Sequence, residues 1–125
     1  MSKVFTDVQV FMTAAGQDVP SHPMKYRSPQ SELYKNLIKE EYDEFVEAFD
    51  AKDDVEELDA CFDMIWVIVG YMISRGWDRE LSWDEGAQSN LSKINAETGK
   101  VIKRDDGKIL KPEGWKPPDF SKFVK

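Results

Sequence analysis

The stretch from residue 54 to residue 73, DVEELDACFDMIWVIVGYMI, constrains the fold of this chain more than any other. Its last ten residues, Met64 to Ile73, carry no charge and contain one glycine. A helix that is apolar on nearly every side must be covered on all sides. Asp59 and Asp63 nevertheless stand at the start of this run, where burying a carboxylate costs several kcal/mol unless its charge is compensated.

Hydrophobic spacing and capping signals predict four helices. Ser28 followed by proline is typical of an N-cap and first turn, and Asp53 or Asp54 can cap the next helix. Ser82 and Glu85 have the spacing of a capping box. The predicted helices span about residues 3–16, 29–50, 54–74 and 82–95.

The short AKDD turn between the second and third helices predicts an antiparallel helical hairpin, and therefore an all-α bundle of four to five helices. We expect one domain over residues 1–125, with a helical core at about 3–95 and a C-terminal arm at about 96–125, folded as a short hairpin or extended. Three other helices in so short a chain cannot easily cover the third helix. The sequence therefore predicts a homodimer or homotetramer.

Composition narrows the class of protein. The longest apolar run is far shorter than a membrane span, and the N-terminus has no signal-peptide pattern, so we expect a cytoplasmic location. The single cysteine, Cys61, forbids an internal disulfide and is expected to be a buried thiol. The single histidine, His22, excludes histidine-rich zinc sites.

The net charge of -7 is unevenly distributed. Residues 32–63 hold 13 acidic and 3 basic side chains, whereas residues 88–125 hold 9 basic and 5 acidic ones. An acidic centre argues against a general nucleic-acid binder. A site in which carboxylates hold a metal and lysines hold phosphate would produce this distribution.

Helical geometry turns some of the acids inward. Glu41 falls in the middle of the apolar face of the second helix, with Glu44 at its edge. Glu56, Asp59 and Asp63 line one stripe of the third helix, and no lysine or arginine lies on either stripe. Crowded carboxylates must take up protons or bind cations, and oxygen ligands alone suit Mg²⁺ or Mn²⁺.

Two other carboxylate sites can be excluded. Di-iron bundles need Glu-x-x-His pairs, and these helices contain no histidine. An EF-hand loop needs glycine at its sixth position, which DAKDDVEE lacks. A non-catalytic helical module that binds a metal, a nucleotide or a partner is the alternative to an enzyme.

The segments LIKEEYDEFVEAF and VEELDACFDMIWVIVGYMISRGWD resemble the metal-binding helices of the MazG-like all-α nucleoside triphosphate pyrophosphohydrolases. This superfamily also includes dimeric dUTPases and phosphoribosyl-ATP pyrophosphohydrolase. SNLSK and DGKILKPEGWKPPD further resemble a short, single-domain branch that is common in phages and bacteria. Together these segments cover nearly the whole chain.

The resemblance implies Mg²⁺-dependent cleavage of the α-β phosphoanhydride of a (deoxy)nucleoside triphosphate, giving monophosphate and pyrophosphate. It places the family's Glu-x-x-Glu on Glu41 and Glu44. The family's Glu-x-x-Asp falls on Glu56 and Asp59 by its letters, or ends at Asp63 when the apolar run is aligned. The implied metal ligands are Glu41, Glu44, Asp59 and Asp63, and Glu44 or Glu56 would accept the proton of the attacking water.

The resemblance also implies a phosphate-binding set on the basic side of the chain. Its members are Lys93, Lys108 and Lys111, with Asn90 to hydrogen-bond the sugar or a phosphate. Arg27, in the loop before the second helix, would complete the pocket across a subunit interface. The branch often has His-Arg before Ser-Asn, where this chain has Ala87 and Gln88. Aromatic candidates for stacking on the base are Phe11, Tyr26, Trp66 and Trp115. A purine deoxynucleotide such as dGTP, depleted by a phage enzyme, is one expected substrate.

Overall fold

The computed structural model describes residues 2–125 and contains four α-helices followed by a short 3-10 helix. These elements are α1 (Lys3–Ala14), α2 (Pro29–Ala51), α3 (Asp54–Ser74), α4 (Arg79–Leu91) and the 3-10 helix Ser121–Phe123. In this part of the chain the only β-type pairing is a single antiparallel bridge between Lys103 and Ile109. The prediction of an all-α fold is confirmed. None of these helices has the length and apolar character needed to cross a membrane.

Side-chain caps set the starts of α2 and α3, as the sequence predicted. The Ser28 side chain accepts a hydrogen bond from the Ser31 N–H at 3.2 Å. The Asp53 carboxylate accepts one from the Glu56 N–H at 3.1 Å. Between the two helices, Lys52 adopts the left-handed conformation with φ of 56°, which turns the chain and makes the two helices antiparallel neighbours.

The predicted start of α4 is wrong by about one turn. Asp78 is its N-cap and accepts a hydrogen bond from the Leu81 N–H at 2.9 Å. The hydroxyl of Ser82, the expected cap, instead donates to the Asp78 carbonyl at 2.6 Å from inside the helix. An aspartate directly after the turn that ends α3 offers an earlier cap, and α4 ends at Leu91 rather than near Asn95.

The core lies at one end of the α2–α3 hairpin, formed by the first turns of α2 and the C-terminal half of α3, which we call the proximal end. There α1 packs on the C-terminal half of α3, and the first turns of α2 close the other side. The fully buried side chains of Met12 and Ile73 belong to this end. The core cluster consists of Val8, Met12, Tyr34, Val67, Val69 and Ile73.

Gly70 fits the ring of Tyr34 against α3. A Cβ atom at position 70 would lie 2.3 Å from Cε1 of Tyr34, a separation that non-bonded atoms do not adopt. The Tyr34 hydroxyl donates to Oε1 of Gln17 at 2.6 Å, which ties the loop after α1 to the same place. The Tyr34 ring therefore fills the space that the absent Gly70 side chain leaves beside α3.

The loop that contains His22 is anchored to the end of α3. A Cβ atom at Gly76, where φ is +70°, would lie 2.0 Å from the His22 carbonyl oxygen. Arg75, only 7% exposed, donates to the Met24 carbonyl at 3.1 Å and stacks on the ring of Trp77 at 4.9 Å. These contacts close the proximal end of the hairpin.

The other end of the hairpin, residues 41–65, is thinly covered, and we call it the distal hairpin. Its buried residues are Ala48 and Ala60. Helical spacing places Tyr42 and Phe49 on the apolar face of α2, yet 56% and 62% of their surfaces are exposed.

The C-terminal arm rests on α4 through residues 115 and 116. The Trp115 indole N–H donates to the Ser89 carbonyl at 2.8 Å, and the Ser89 hydroxyl donates to the Lys116 carbonyl at 3.0 Å. Residues 95–110 form hydrogen bonds only among themselves, around a tight turn at Gly107. The predicted hairpin is therefore reduced to one bridge on an exposed loop.

Candidate metal site

Three carboxylates from the two central helices meet in the distal hairpin. Glu41 and Glu44 lie one turn apart on α2, and Asp63 faces them from the antiparallel α3. One carboxylate oxygen from each lies within 4.8 Å of the others. Glu41 and Asp63 are half-buried and Glu44 is exposed, so the group has an inner side and a mouth open to solvent.

The group is electrostatically uncompensated. Oε2 of Glu41 is buried and has no hydrogen-bond partner. Burial, followed by the Glu44 carboxylate and repulsion from Asp63 and Asp59, raises the pKa of Glu41 from its ordinary 4.5 to about 7. Burial and repulsion from Asp59 and Glu44 likewise raise the pKa of Asp63. Within residues 2–125, no lysine or arginine forms an ion pair with these acids.

Asp59 and Glu56 lie beside the group rather than in it. Asp59 is exposed and is not one of the three converging residues, but its charge raises the pKa of both half-buried acids. Glu56 and Glu44 line a shallow depression of about 240 Å³. Glu47, Ala48, Ala51 and Asp53 complete its lining. Of the two possible alignments of Glu-x-x-Asp, the geometry brings Asp63 to the α2 pair.

The three acids fit a hard divalent cation. All the available donors are carboxylate oxygens, with no imidazole or thiolate, which favours Mg²⁺ or Mn²⁺ over Zn²⁺. A cation between them would give the orphaned Glu41 oxygen a partner and relieve the repulsion that raises both pKa values.

Part of the expected phosphate-binding set forms a second cluster at the end of α4. The Lys93 ammonium donates to Oδ1 of Asn90 at 3.1 Å. Lys93 and Lys111 place their ammonium groups 4.9 and 5.1 Å from the ring centre of Trp115. The three expected residues are thus gathered around an indole that the sequence had suggested for base stacking.

Lys108 and Arg27 lie apart from that cluster. Lys108 is exposed on the turn of the arm, where its N–H donates to Oδ1 of Asp106 at 3.1 Å. Arg27 is exposed in the loop directly before α2. Neither residue makes a hydrogen bond or an ion pair with Asn90, Lys93 or Lys111.

Three aromatic rings meet where α1 crosses α3. Phe11 and Phe62 contact Trp66, with ring centres 5.5 and 5.8 Å apart. Trp66 is half-buried, whereas Phe11 and Phe62 are more than half exposed. Phe62 was not singled out from the sequence, although its position directly before Asp63 places it next to the acidic group. Tyr26 is exposed in the loop before α2.

The chain matches a known protein family over most of its length. Residues 7–90, or 84 of the 125 residues, match the family model described as phosphoribosyl-ATP pyrophosphohydrolase. The matched region runs from α1 almost to the end of α4 and includes every acid of the distal hairpin. No curated protein matches the chain.

Proposed function

The chain belongs to the phosphoribosyl-ATP pyrophosphohydrolase family, within the MazG-like all-α superfamily, and we propose that it is a Mg²⁺-dependent nucleoside triphosphate pyrophosphohydrolase. Family membership indicates a hydrolase that cleaves a phosphoanhydride. The proposed reaction is hydrolysis of the α-β bond of a (deoxy)nucleoside triphosphate. A purine deoxynucleotide such as dGTP is the first substrate to test.

The observation that carries this proposal is the unpaired Glu41 oxygen beside Glu44 and Asp63. An acidic surface for solubility or partner binding does not require a carboxylate that is buried among others. Glu41 and Asp63 would hold the inner side of a bound Mg²⁺, with Glu44 at the mouth and Asp59 as a further ligand. When bound there, Mg²⁺ neutralises phosphate charge and makes a bound water more acidic.

Exposed carboxylates would accept the proton of the attacking water. Phosphoryl-type displacement depends mainly on positioning and charge neutralisation, so the protein needs no covalent nucleophile. Glu44 and Glu56 share the depression beside the metal site, and either carboxylate could take the proton from the attacking water. Glu41 and Asp63 are less suited to accept this proton, because their half-buried carboxylates face each other.

The triphosphate needs cations as well, because the acidic hairpin repels it. Lys93 and Lys111, gathered with Asn90 around one indole, are the strongest candidates to bind the phosphates. Lys108 lies on the exposed turn of the arm, and Arg27 lies on the loop before α2. Both are exposed and stay candidates to bind the substrate.

The test is a product assay with each common ribonucleoside and deoxynucleoside triphosphate, with Mg²⁺, with Mn²⁺ and with chelator. We expect monophosphate and pyrophosphate in equal amounts, only when the divalent cation is present. Formation of diphosphate and inorganic phosphate would contradict cleavage of the α-β bond. If no triphosphate is cleaved but Mg²⁺ still binds, the non-catalytic helical module becomes the better description.

Site variants test the residue assignment. Glu41→Gln and Asp63→Asn should each lower kcat/KM at least about 100-fold, because each removes a charged ligand. Glu40→Gln is the matched control, since Glu40 is the neighbouring acid on the exposed side of α2. Near-normal activity in Glu41→Gln would remove the proposed metal site even if the enzyme activity is real.

A further inference from the structure

Two lysines at the end of α4 and on the arm are held in place without losing their charge. The ammonium groups of Lys93 and Lys111 lie 4.9 and 5.1 Å from the centre of the Trp115 ring. Lys93 also donates to Oδ1 of Asn90, which is an uncharged acceptor. Within residues 2–125, neither lysine forms an ion pair with a carboxylate. The groups that contact these two cations are thus a neutral ring and a neutral amide.

Contact with a neutral ring has a consequence for binding. The chain has 24 acidic and 17 basic side chains, so carboxylates that could pair with lysines are not scarce. A carboxylate would fix a lysine as well as a ring does, but it would cancel the positive charge and compete with an incoming anion. The face of an indole attracts an ammonium group and leaves its full charge available. Two like charges gathered on one ring therefore favour a ligand that carries several negative charges.

The Trp115 ring is itself fixed by hydrogen bonds to α4. Its indole N–H donates to the Ser89 carbonyl at 2.8 Å, and the Ser89 hydroxyl donates to the Lys116 carbonyl at 3.0 Å. Ser89 is the one buried residue of α4. The Trp115 backbone N–H donates to the Pro112 carbonyl at 3.1 Å, which closes a tight turn in the arm. The ring cannot turn or shift without breaking these bonds, so it is a rigid support for the lysines.

We propose that Trp115 is a positioning residue, which holds Lys93 and Lys111 for the phosphates of the substrate and does not stack on its base. The inference deepens the proposed function and rests on it for the identity of the substrate. A base that stacked on the ring would have to displace the ammonium groups that lie over it. The ligand class of this cluster is therefore a polyphosphate chain, which charge recognises whatever base is attached.

The first experiment measures binding of inorganic tripolyphosphate by calorimetry, with the full chain, in chelator and at low salt. Trp115→Leu should raise the dissociation constant about tenfold, because both ammonium groups lose the ring. Trp115→Phe keeps an aromatic face and should stay within about threefold of the wild type. Equal losses in the two variants, no loss in Trp115→Leu, or no binding to the wild type would each overturn the proposal. None of these results requires hydrolysis.

Matched variants control for the loss of a charge and for the loss of an indole. Lys116→Met removes a positive charge from the exposed residue next to Trp115, and it should change tripolyphosphate binding less than about twofold. Trp83→Leu removes an indole of α4 that is 66% exposed, and it should leave binding unchanged. A loss in either control as large as that in Trp115→Leu would show that the effect is general, and the assignment to Trp115 would be wrong.

A double-mutant cycle separates positioning from a purely structural role. If Trp115 acts through the lysines, its removal should cost less once one of them is gone. In a Lys111→Met background one of the two ring contacts is already lost, so the cost of Trp115→Leu should fall from about tenfold to about threefold. The same tenfold cost in both backgrounds would show that Trp115 does not act through Lys111, and would overturn the positioning role.

Kinetics with the four common deoxynucleoside triphosphates test whether the ring contacts the base. Trp115→Leu should raise KM by a similar factor for all four, with kcat little changed, and the ratios of kcat/KM between them should stay within about twofold of the wild type. A loss that is much larger for the purine nucleotides would show base stacking and overturn the proposal. Trp115-dependent binding of tripolyphosphate without cleavage of any nucleotide would contradict the proposed function alone.

Discussion

The same two helices behave differently at their two ends. At the proximal end, α2 and α3 are covered by α1 and by the loop before α2, and side chains as large as Met12 and Ile73 are fully buried. In the distal hairpin the buried residues are Ala48 and Ala60, while three carboxylates share a half-buried space. The stable part of the molecule is thus separated from the part that carries the candidate chemistry.

This difference shows where destabilising features are tolerated. Carboxylates with raised pKa values reduce stability at neutral pH, and a small protein can hold them only if other parts supply the packing. The proximal core provides that packing in the isolated chain.

The largest effect on stability should come from matched isoleucine truncations on α3. Ile73→Ala, in the proximal core, should lower the free energy of unfolding by about 2–5 kcal/mol, because it leaves a cavity. Ile65→Ala, eight residues earlier and 54% exposed, should cost less than about 1 kcal/mol in the monomeric chain. Urea unfolding at low protein concentration measures both. Equal losses would show that the distal hairpin is as well packed as the core.

A second comparison uses two helical glycines. Gly70→Ala should destabilise the protein by about 1–3 kcal/mol, because its methyl group would overlap the Tyr34 ring. Gly86→Ala on α4 would bring a methyl group only to 3.3 Å from Phe120, and its better helix propensity should keep the change within about 1 kcal/mol of zero. Thermal unfolding checks both variants. A stable Gly70→Ala protein would mean that Tyr34 can leave its place at no cost.

Removing a helix cap should lower the free energy of unfolding by less, and each cap should affect a different part of the hairpin. Ser28→Ala and Asp53→Ala each remove an N-cap, at a cost of about 1 kcal/mol. Hydrogen exchange should accelerate at the start of α2 in the first variant and in the distal hairpin in the second. The distal effect should spread further along its helix, since little packing holds that end. Equal spreading in both variants would argue against the contrast between the two ends.

The smallest expected effect is the pH dependence of the metal-free protein, because Glu41 and Asp63 are partly exposed and water screens them. The pKa of Glu41 rises from 4.5 to about 7 on folding. Between these values the folded chain binds more protons than the unfolded chain, so the free energy of unfolding falls as pH rises. Thermal midpoints in chelator from pH 5 to 8 should fall less in Glu41→Gln than in the wild type.

Glu40→Gln controls for the loss of an acid on α2, and it should follow the wild-type pH profile. An unchanged profile in Glu41→Gln would mean that the Glu41 carboxyl group is solvated like its neighbour. Adding Mg²⁺ should remove most of the pH dependence in the wild type, because the cation replaces the proton between the carboxylates.

Local signals predicted much of this fold. The serine cap before Pro29 and the aspartate cap at Asp53 set the helix starts, because capping depends only on neighbouring residues. The position of Glu41 on the apolar side of α2 also followed from helical periodicity. The start of α4 was missed because Asp78 and Ser82 both offer acceptable caps, and the loop geometry after α3 decides between them.

Other features depend on contacts between distant residues. Periodicity placed Tyr42 and Phe49 on the apolar side of α2, but whether a side chain is buried depends on which elements reach it. Both rings stay more than half exposed in the distal hairpin. The space beside Gly70 is taken by Tyr34, from another helix. The sequence by itself left Glu56, Asp59 and Asp63 as competing candidates to face Glu41 and Glu44 on α2.

The sequence by itself determined the helices, the antiparallel hairpin and the inward side of its acids, because these follow from periodicity, capping and a short turn. Only the tertiary structure decided that Asp63 meets Glu41 and Glu44, and that packing concentrates at the proximal end. The reason is physical. The side chains at a helix contact, such as Tyr34 against Gly70, set how each helix is rotated and how far one is shifted along the other. The sequence of one helix alone does not specify this rotation or this shift.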